Sequence, residues 1–384
     1  MNQPPFCYFD NNATTQVAPE VLEAMLPFLR QQWGNPSSAY GLGQEAARRL
    51  DDARVKAAAL INAEPQEIVF TSGGTESNNA ALHSALATRP ERRHLLTTAV
   101  EHPSILRFCG FLEKQGCAVT LLPVDSGGAL DLDLVEKSIR PDTAIVSAML
   151  ANNETGVLFP IAEIAALCRS KGVLCHTDAV QAPGKLKLDV KALGVDFLSL
   201  SAHKLYGPKG IGLLYVKRRA KYQPYLLGGG QERGRRGGTE NVPAIVGFGR
   251  AAELALANIE LEDTRVRALR DRLEDRLLRG IPGVARNGAP EPRLPNTANL
   301  AFEGVEADGL LLLLDQAGVC ASSGSACSSG ALDPSHVLSA MGCSAPRARG
   351  SIRLSLGVHN TAAEVEYLLQ CLPGIVAKLR QNFR

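Results

Sequence analysis

"DFLSLSAHKLYGPKGIGLLYV" (196–216) sets Lys204 directly behind one apolar run and opens a second at Ile211. Runs this short and this apolar read as strands buried on both faces. Comparable runs precede them: EIVFT (67–71), HLLTTA (94–99), AVTLLPV (118–124), TAIVSAML (143–150) and VLCHTDA (173–179). Helical segments separate them from about residue 65 to 250. That alternation predicts an α/β domain built on a mostly parallel seven-stranded sheet covered by helices.

After residue 250 the pattern changes. AELALANIELEDTRVRALRDRLEDRLLRGI places Val266, Leu269, Leu273, Leu277 and Ile281 at helical spacing, with charges elsewhere and Gly280 placed to end the helix. NTANLAFEGV, DGLLLLLDQAG, SIRLSLG and a last helix from about Thr361 complete a smaller α+β domain. The division is residues 15–257 for the large domain, and 1–14 with 258–384 for the small one.

With 384 residues, 45% hydrophobic and a net charge of +2, the chain can build sizeable cores and offers no basic field for nucleic acid. KRRAK (217–221) reads as a solvated turn, whereas RGRR (233–236) lies in a glycine-rich loop. No apolar run nears the roughly 18 residues of a membrane helix, and MNQPPFCYFDNN has no signal-peptide pattern. No membrane partner is expected, and the cytoplasm is the expected location. Nine cysteines without a C-x-x-C pair support neither a disulfide framework nor a zinc cluster.

Three segments carry chemistry. SGGTESNN (72–79) puts Gly74 and Thr75 between a strand and a helix, either as a phosphate cradle or as an ordinary capped turn. Asp178 ends the strand VLCHTDA, where open sheets bind ligands, and a helix cap is the alternative. Lys204, flanked by Ser201, His203 and Gly207, is placed to lose its hydration and form a Schiff base, unlike an ordinary surface lysine. A phosphate cradle, a carboxylate and such a lysine together suit pyridoxal 5′-phosphate. His102, in EHPSI (101–105), is a candidate for stacking and proton transfer, with a core histidine as the alternative.

The order of YFDNNATT, WGNPSS, FTSGGTESNN, VEHPS, ANNETG, HTDAVQ, SAHKLYGPKG, GGGQERGRRGGTEN, RLPNTANLAFE and SSGSACSSG resembles the cysteine desulfurases. These are pyridoxal-phosphate enzymes of aminotransferase fold type I, and the likeness is to the NifS-like branch associated with nitrogen fixation. The resemblance implies that Lys204 holds the cofactor, Asp178 pairs with the pyridine nitrogen, Gln181 contacts the ring hydroxyl and His102 stacks on the ring. Gly74, Thr75, Ser201, Ala202 and His203 would surround the phosphate, and Thr239 would reach the phosphate of the other subunit of a homodimer. Asn153 and Arg353 would hold the substrate carboxylate.

The same resemblance makes Cys327, within SSGSACSSG (322–330), the thiol that accepts sulfur from L-cysteine as a persulfide, leaving alanine. Its small neighbours suit a residue that must travel to an acceptor, an iron–sulfur scaffold protein. Transient metal ligation through that persulfide is a further expectation. A selenocysteine lyase or aminotransferase on the same scaffold, and a non-catalytic sulfur carrier, remain the alternatives.

Overall fold

The computed structural model describes residues 5–323 and 334–381. A short N-terminal strand, β1 (Cys7–Tyr8), precedes the main sheet. That sheet comprises β2 (Ile68–Thr71), β3 (His94–Thr98), β4 (Ala118–Leu122), β5 (Thr143–Ser147), β6 (Leu174–Asp178), β7 (Phe197–Ser201) and β8 (Gly212–Val216). Its order is β2-β8-β7-β6-β5-β3-β4. β7, β6, β5, β3 and β4 run parallel, while β8 is antiparallel to both its neighbours. The segment 202–211 is shorter than the dozen or so residues a parallel crossover needs, so β8 must turn straight back.

All seven apolar runs of the sequence become strands of this sheet, each shorter than its run, two of them by more than one residue at the carboxyl end. β4 stops before Pro123, which has no N–H to give a ladder. β5 stops at Ser147, and the following backbone bends until Leu150 N–H donates to Asp178 O at 2.9 Å. Every residue of β3, β5, β6 and β7 is buried, whereas the edge strand β4 is mostly half-exposed. The chain leaves β3 for β4 on one side and returns to β5 on the other, so strand order reverses between β3 and β5. Open sheets bind ligands at the carboxyl ends of strands beside such a reversal.

The second body contains β9 (Val284–Arg286), β10 (Thr297–Phe302) and β12 (Ser351–Ser355) in antiparallel order β12-β10-β9. β1 pairs in parallel with β11 (Val319–Cys320). Leu300, Phe302, Ile352 and Leu354 pack with Leu269, Leu273, Leu277, Val365 and Leu368 in one core, which also buries Cys7 and Phe9.

The helix anticipated from about residue 251 begins earlier, at Val242, with Asn241 Oδ1 accepting from Ala244 N. It runs to Leu261, passes through a π-turn at Glu262–Val266 and continues from Arg267 to Gly280. Contrary to the sequence reading, Val242–Gly280 is long and apolar enough to cross a membrane by composition. Its first half is a core helix: Ile245, Phe248, Ala251 and Ala252 are buried, and it packs on the helices Pro19–Arg30 and Gly41–Ala59.

Close backbone packing joins β8 to the start of the helix Gly74–Ala87. A Cβ on Gly212 would lie 2.5 Å from the carbonyl carbon of Gly73 and 2.8 Å from Leu200 O. Both obstacles are backbone and cannot rotate away. Gly212→Ala is therefore expected to cost about 1–3 kcal/mol of stability, read as a lowered denaturant midpoint. An unchanged midpoint would show that the cradle yields freely.

Candidate active site

The carboxyl ends of β3, β5, β6 and β7 deliver their following segments to one cavity of about 500 Å³. Gly74, Thr75, His102, Asn153, Asp178, Gln181, Ser201, His203, Lys204 and Arg353 all line it. The sequence expected each of them there. Volume and lining fall in the range of small-molecule sites.

The helix Gly74–Ala87 begins directly after the turn Ser72–Gly73. A Cβ on Gly74 would meet Val180 Cγ2 at 2.8 Å, so a glycine lets the helix start lie against the loop after β6. The first N–H groups of a helix have no intrahelical partner and carry the positive end of its dipole. Ser72 N–H donates to Glu76 Oε2 at 2.8 Å, and Arg236 pairs with the same carboxylate at 3.0 and 3.2 Å. Two other arginines of the RGRR stretch also bond within the chain: Arg233 Nη2 to Ile68 O at 2.6 Å and Arg235 Nη1 to Gln66 O at 3.0 Å. Beside them Glu232, at φ 48°, accepts from Arg54 Nη1 at 2.8 Å and Nη2 at 2.7 Å. The loop is braced onto the cradle helix, while Thr239 stands exposed on it and does not line the cavity.

Asp178 is fixed from two sides. Its Oδ1 accepts from Val180 N at 3.0 Å and its Oδ2 from Asn78 Nδ2 at 2.7 Å. The Asn78 amide also donates to Ser104 Oγ at 2.9 Å. Ser104 Oγ lies 2.8 Å from His102 Nδ1, and Ser104 N–H donates to the same nitrogen at 3.1 Å. His102 thereby caps the helix Pro103–Glu113. An N–H can only donate, so Nδ1 carries a lone pair and the ring proton sits on Nε2. Burial lowers the His102 pKa, against the pull of Asp178. His203 is pushed down to about 4 by burial and the nearby Lys204 and Lys209 charges.

Lys204 ends the short 3₁₀ turn Ala202–Lys204. Its Nζ donates to Asn12 O at 2.5 Å and Ala13 O at 2.7 Å. Gln181 Nε2 also donates to Asn12 O, at 3.0 Å, and Gln181 Oε1 is buried without a partner among the described residues. Ala202 is wholly buried behind this wall and does not line the cavity. Its N–H is taken by Ile211 O at 3.2 Å, so it stands behind the cavity wall instead of on it.

Arg353, on β12, is almost fully buried. Its Nη1 donates to Asn153 O at 2.9 Å and its Nη2 to Asp10 Oδ1 at 2.7 Å. Burial raises the Asp10 pKa, with Arg353 opposing. Cys327 lies outside the described residues, and with it the metal expectation attached to it.

Several residues of the site were not anticipated. Asn12, Asn78, Glu154 and His336 line the cavity. The asparagines stand in motifs whose spacing was recognised, and an amide beside a buried carboxylate was the signal to follow. Glu154 too stands in a quoted motif, ANNETG, whereas for His336 no local signal exists.

An orphaned acceptor on Gln181, a glycine-permitted helix start, a fixed carboxylate and a buried-edge lysine form a donor set suited to a planar aromatic ring bearing a phosphate. Comparison with known proteins agrees with this class of site. The aminotransferase class-V family model matches residues 7–368. Cysteine desulfurase 2 of Trichormus variabilis is 53% identical over 97% of this chain and 94% of its own length. Cysteine desulfurase NifS of Azotobacter vinelandii is 50% identical over 97% of this chain and 93% of its own. A solved NifS-like protein superposes with a TM-score of 0.92 at 39% identity, covering 97% of this chain and all of that one. The chain belongs to the class-V aminotransferases and, within them, to the NifS-like cysteine desulfurase family.

Glu101, fully buried beside His102, gives a test of the cavity's electrostatics. Its Oε1 accepts from Thr98 Oγ1 and Met149 N, each at 2.8 Å, and Oε2 has no partner among the described residues. Burial pushes its pKa from 4.5 up to about 8. Between those values the folded state binds the proton that the unfolded state has lost, so this group's contribution to stability falls as pH rises. Glu101→Gln removes that slope. Its stability relative to wild type is expected to improve by about 1 kcal/mol per pH unit between roughly pH 5 and 8, measured by denaturant titration. Parallel curves for the two proteins would contradict the assignment.

Proposed function

We propose that this protein removes sulfur from L-cysteine, releases L-alanine and passes the sulfur, held as a persulfide on Cys327, to an acceptor. The observation that carries the reading is the meeting of Lys204, Asp178 and the start of the helix Gly74–Ala87 in one cavity. The family relationship supports it.

Pyridoxal 5′-phosphate fits the donor set. Lys204 would hold it covalently, Asp178 would face its pyridine nitrogen, Gln181 its ring hydroxyl and His102 its ring face. Gly74, Thr75, Ser201 and His203 would receive the phosphate, with Ala202 behind them. When bound, the group supplies an electron sink for the substrate carbon, strengthened by a charged carboxylate at its ring nitrogen.

The chain's own residues bind and orient the substrate. The Arg353 fork and Asn153 take its carboxylate, a geometry guanidinium suits. The Cys327 thiolate then attacks the substrate sulfur. An S–S bond forms as the C–S bond breaks, the electron pair stays on carbon, and a proton there completes alanine.

In this reading the large domain (15–257) carries the cofactor residues, and the small domain (1–14 with 258–384) carries Arg353 and Cys327. The active form is a homodimer in which the exposed Thr239 loop meets the neighbouring subunit's phosphate. An iron–sulfur scaffold protein takes the sulfur, with brief metal ligation at the Cys327 persulfide. The enzyme works in the cytoplasm, where thiols stay reduced.

Incubation with L-cysteine, pyridoxal phosphate and a reductant should yield alanine and sulfide in equal amounts. Lys204→Ala should lower that rate by at least about 100-fold. A keto acid in place of alanine would make the protein an aminotransferase, and turnover of selenocysteine alone would make it a selenocysteine lyase. Either result overturns the reading.

A further inference from the structure

A third histidine, after His102 and His203, lines the cavity without a part in the chemistry above. His336 begins the short helix His336–Ala340 and is half-buried. Two contacts dock this turn. Ser335 Oγ donates to Glu154 Oε2 at 2.5 Å, and His336 Nε2 lies 2.9 Å from Glu101 O.

The second contact settles where the ring proton is. A carbonyl oxygen only accepts, so Nε2 must carry the hydrogen. In the neutral ring the lone pair then falls on Nδ1, for which the described residues supply no hydrogen bond. His102 is set the other way: its Nδ1 lone pair is committed to Ser104, and its Nε2 presents only a hydrogen. The cavity therefore holds one imidazole poised to donate and another poised to accept.

The remaining polar groups of the cavity are less able to accept a proton. Lys204 donates twice to backbone carbonyls. Both Asp178 oxygens already accept hydrogen bonds. A guanidinium such as Arg353 or Arg107 has no acceptor lone pair, Glu154 Oε2 already accepts from Ser335 Oγ, and burial with the Lys204 and Lys209 charges holds the His203 pKa down to about 4. These groups, with His102, are the titratable and charged groups that line the cavity with His336 among the described residues.

A cysteine substrate arrives with an ammonium group. Its nitrogen must lose a proton before it can attack a carbonyl carbon. The thiol has no such need: transfer to an enzyme thiolate leaves the substrate's S–H hydrogen on the terminal sulfur of the persulfide. We propose that His336 is a further catalytic residue, accepting on Nδ1 the proton that the substrate ammonium gives up. The N–H bond breaks, its electron pair stays on the substrate nitrogen, and His336 becomes an imidazolium beside the Glu154 carboxyl. The inference rests on the amino-acid substrate of the proposed function.

His336→Gln is the suitable variant, because the Gln amide can still donate to Glu101 O but offers no base. Its cofactor content and circular dichroism should match wild type. Mixing with L-alanine, which has the ammonium but no thiol, should change the cofactor absorbance about 100-fold more slowly than in wild type near neutral pH. The deficit should shrink about tenfold per pH unit as the free amine becomes abundant. Ring-nitrogen NMR shifts of the cofactor-free wild type should show neutral His336 protonated at Nε2. A deficit independent of pH, no deficit, or the Nδ1–H tautomer would each overturn the proposal. The alanine-binding phase involves no sulfur transfer, so a failure here leaves the separate cysteine-to-alanine assay to judge the desulfurase reading.

Discussion

Asn12 is the point on which the arrangement turns. It is almost completely buried, yet each of its polar groups has a partner. Its carbonyl accepts from Lys204 Nζ and Gln181 Nε2. Its amide nitrogen donates to Thr297 Oγ1 at 2.8 Å and Asn153 O at 3.2 Å, its Oδ1 accepts from Asn296 Nδ2 at 3.0 Å, and its N–H reaches Ser355 Oγ at 2.9 Å. Leaving one such buried group unsatisfied costs about 1–3 kcal/mol. The N-terminal segment is thus held between the loops of the main sheet and the strands β10 and β12. Lys204 and Gln181 take their positions from the same carbonyl.

The cavity built on that crossing sorts its ionisable groups by burial and by hydrogen-bond direction. Burial holds His203 and His102 toward neutrality and Glu101 toward its protonated form. Hydrogen bonds then decide which face of each imidazole is a donor. Asp178 keeps a donor on each oxygen, which fixes the direction in which its carboxylate points. Glycines at 74 and 212 allow the helix start, the β6 loop and β8 to approach without side chains between them.

Much of this was legible in the chain. Parallel strands buried on both faces leave continuous apolar runs, so all seven strands of the main sheet could be read, including the run that ends at Lys204. Gly74, Thr75, His102, Asp178, Ser201, His203 and Lys204 follow strands of the main sheet, a local feature of the chain, and they line the cavity; Asn153, Gln181 and Arg353, also on its wall, were expected from the resemblance alone. What escaped depends on distance in sequence. Ser335 meets Glu154 across 181 residues and His336 meets Glu101 across 235. Neither pair has a spacing that periodicity can detect. Asn12 and Asn78 stand in quoted motifs, but their partners Asn153, Thr297 and Asp178 lie 100 or more residues away. Ala202, placed by resemblance near a phosphate, is turned inward by its bond to Ile211. The role of Cys327 came from resemblance alone.

The account's central claim is that sulfur leaves the substrate for one particular thiol. Mass spectrometry of peptides from wild-type protein, quenched soon after mixing with L-cysteine, tests it most directly. One added sulfur atom is expected on the peptide containing Cys327, with Cys320 and Cys343 unmodified. Alanine formation with no sulfur on Cys327, or with the sulfur on another cysteine, would contradict the account.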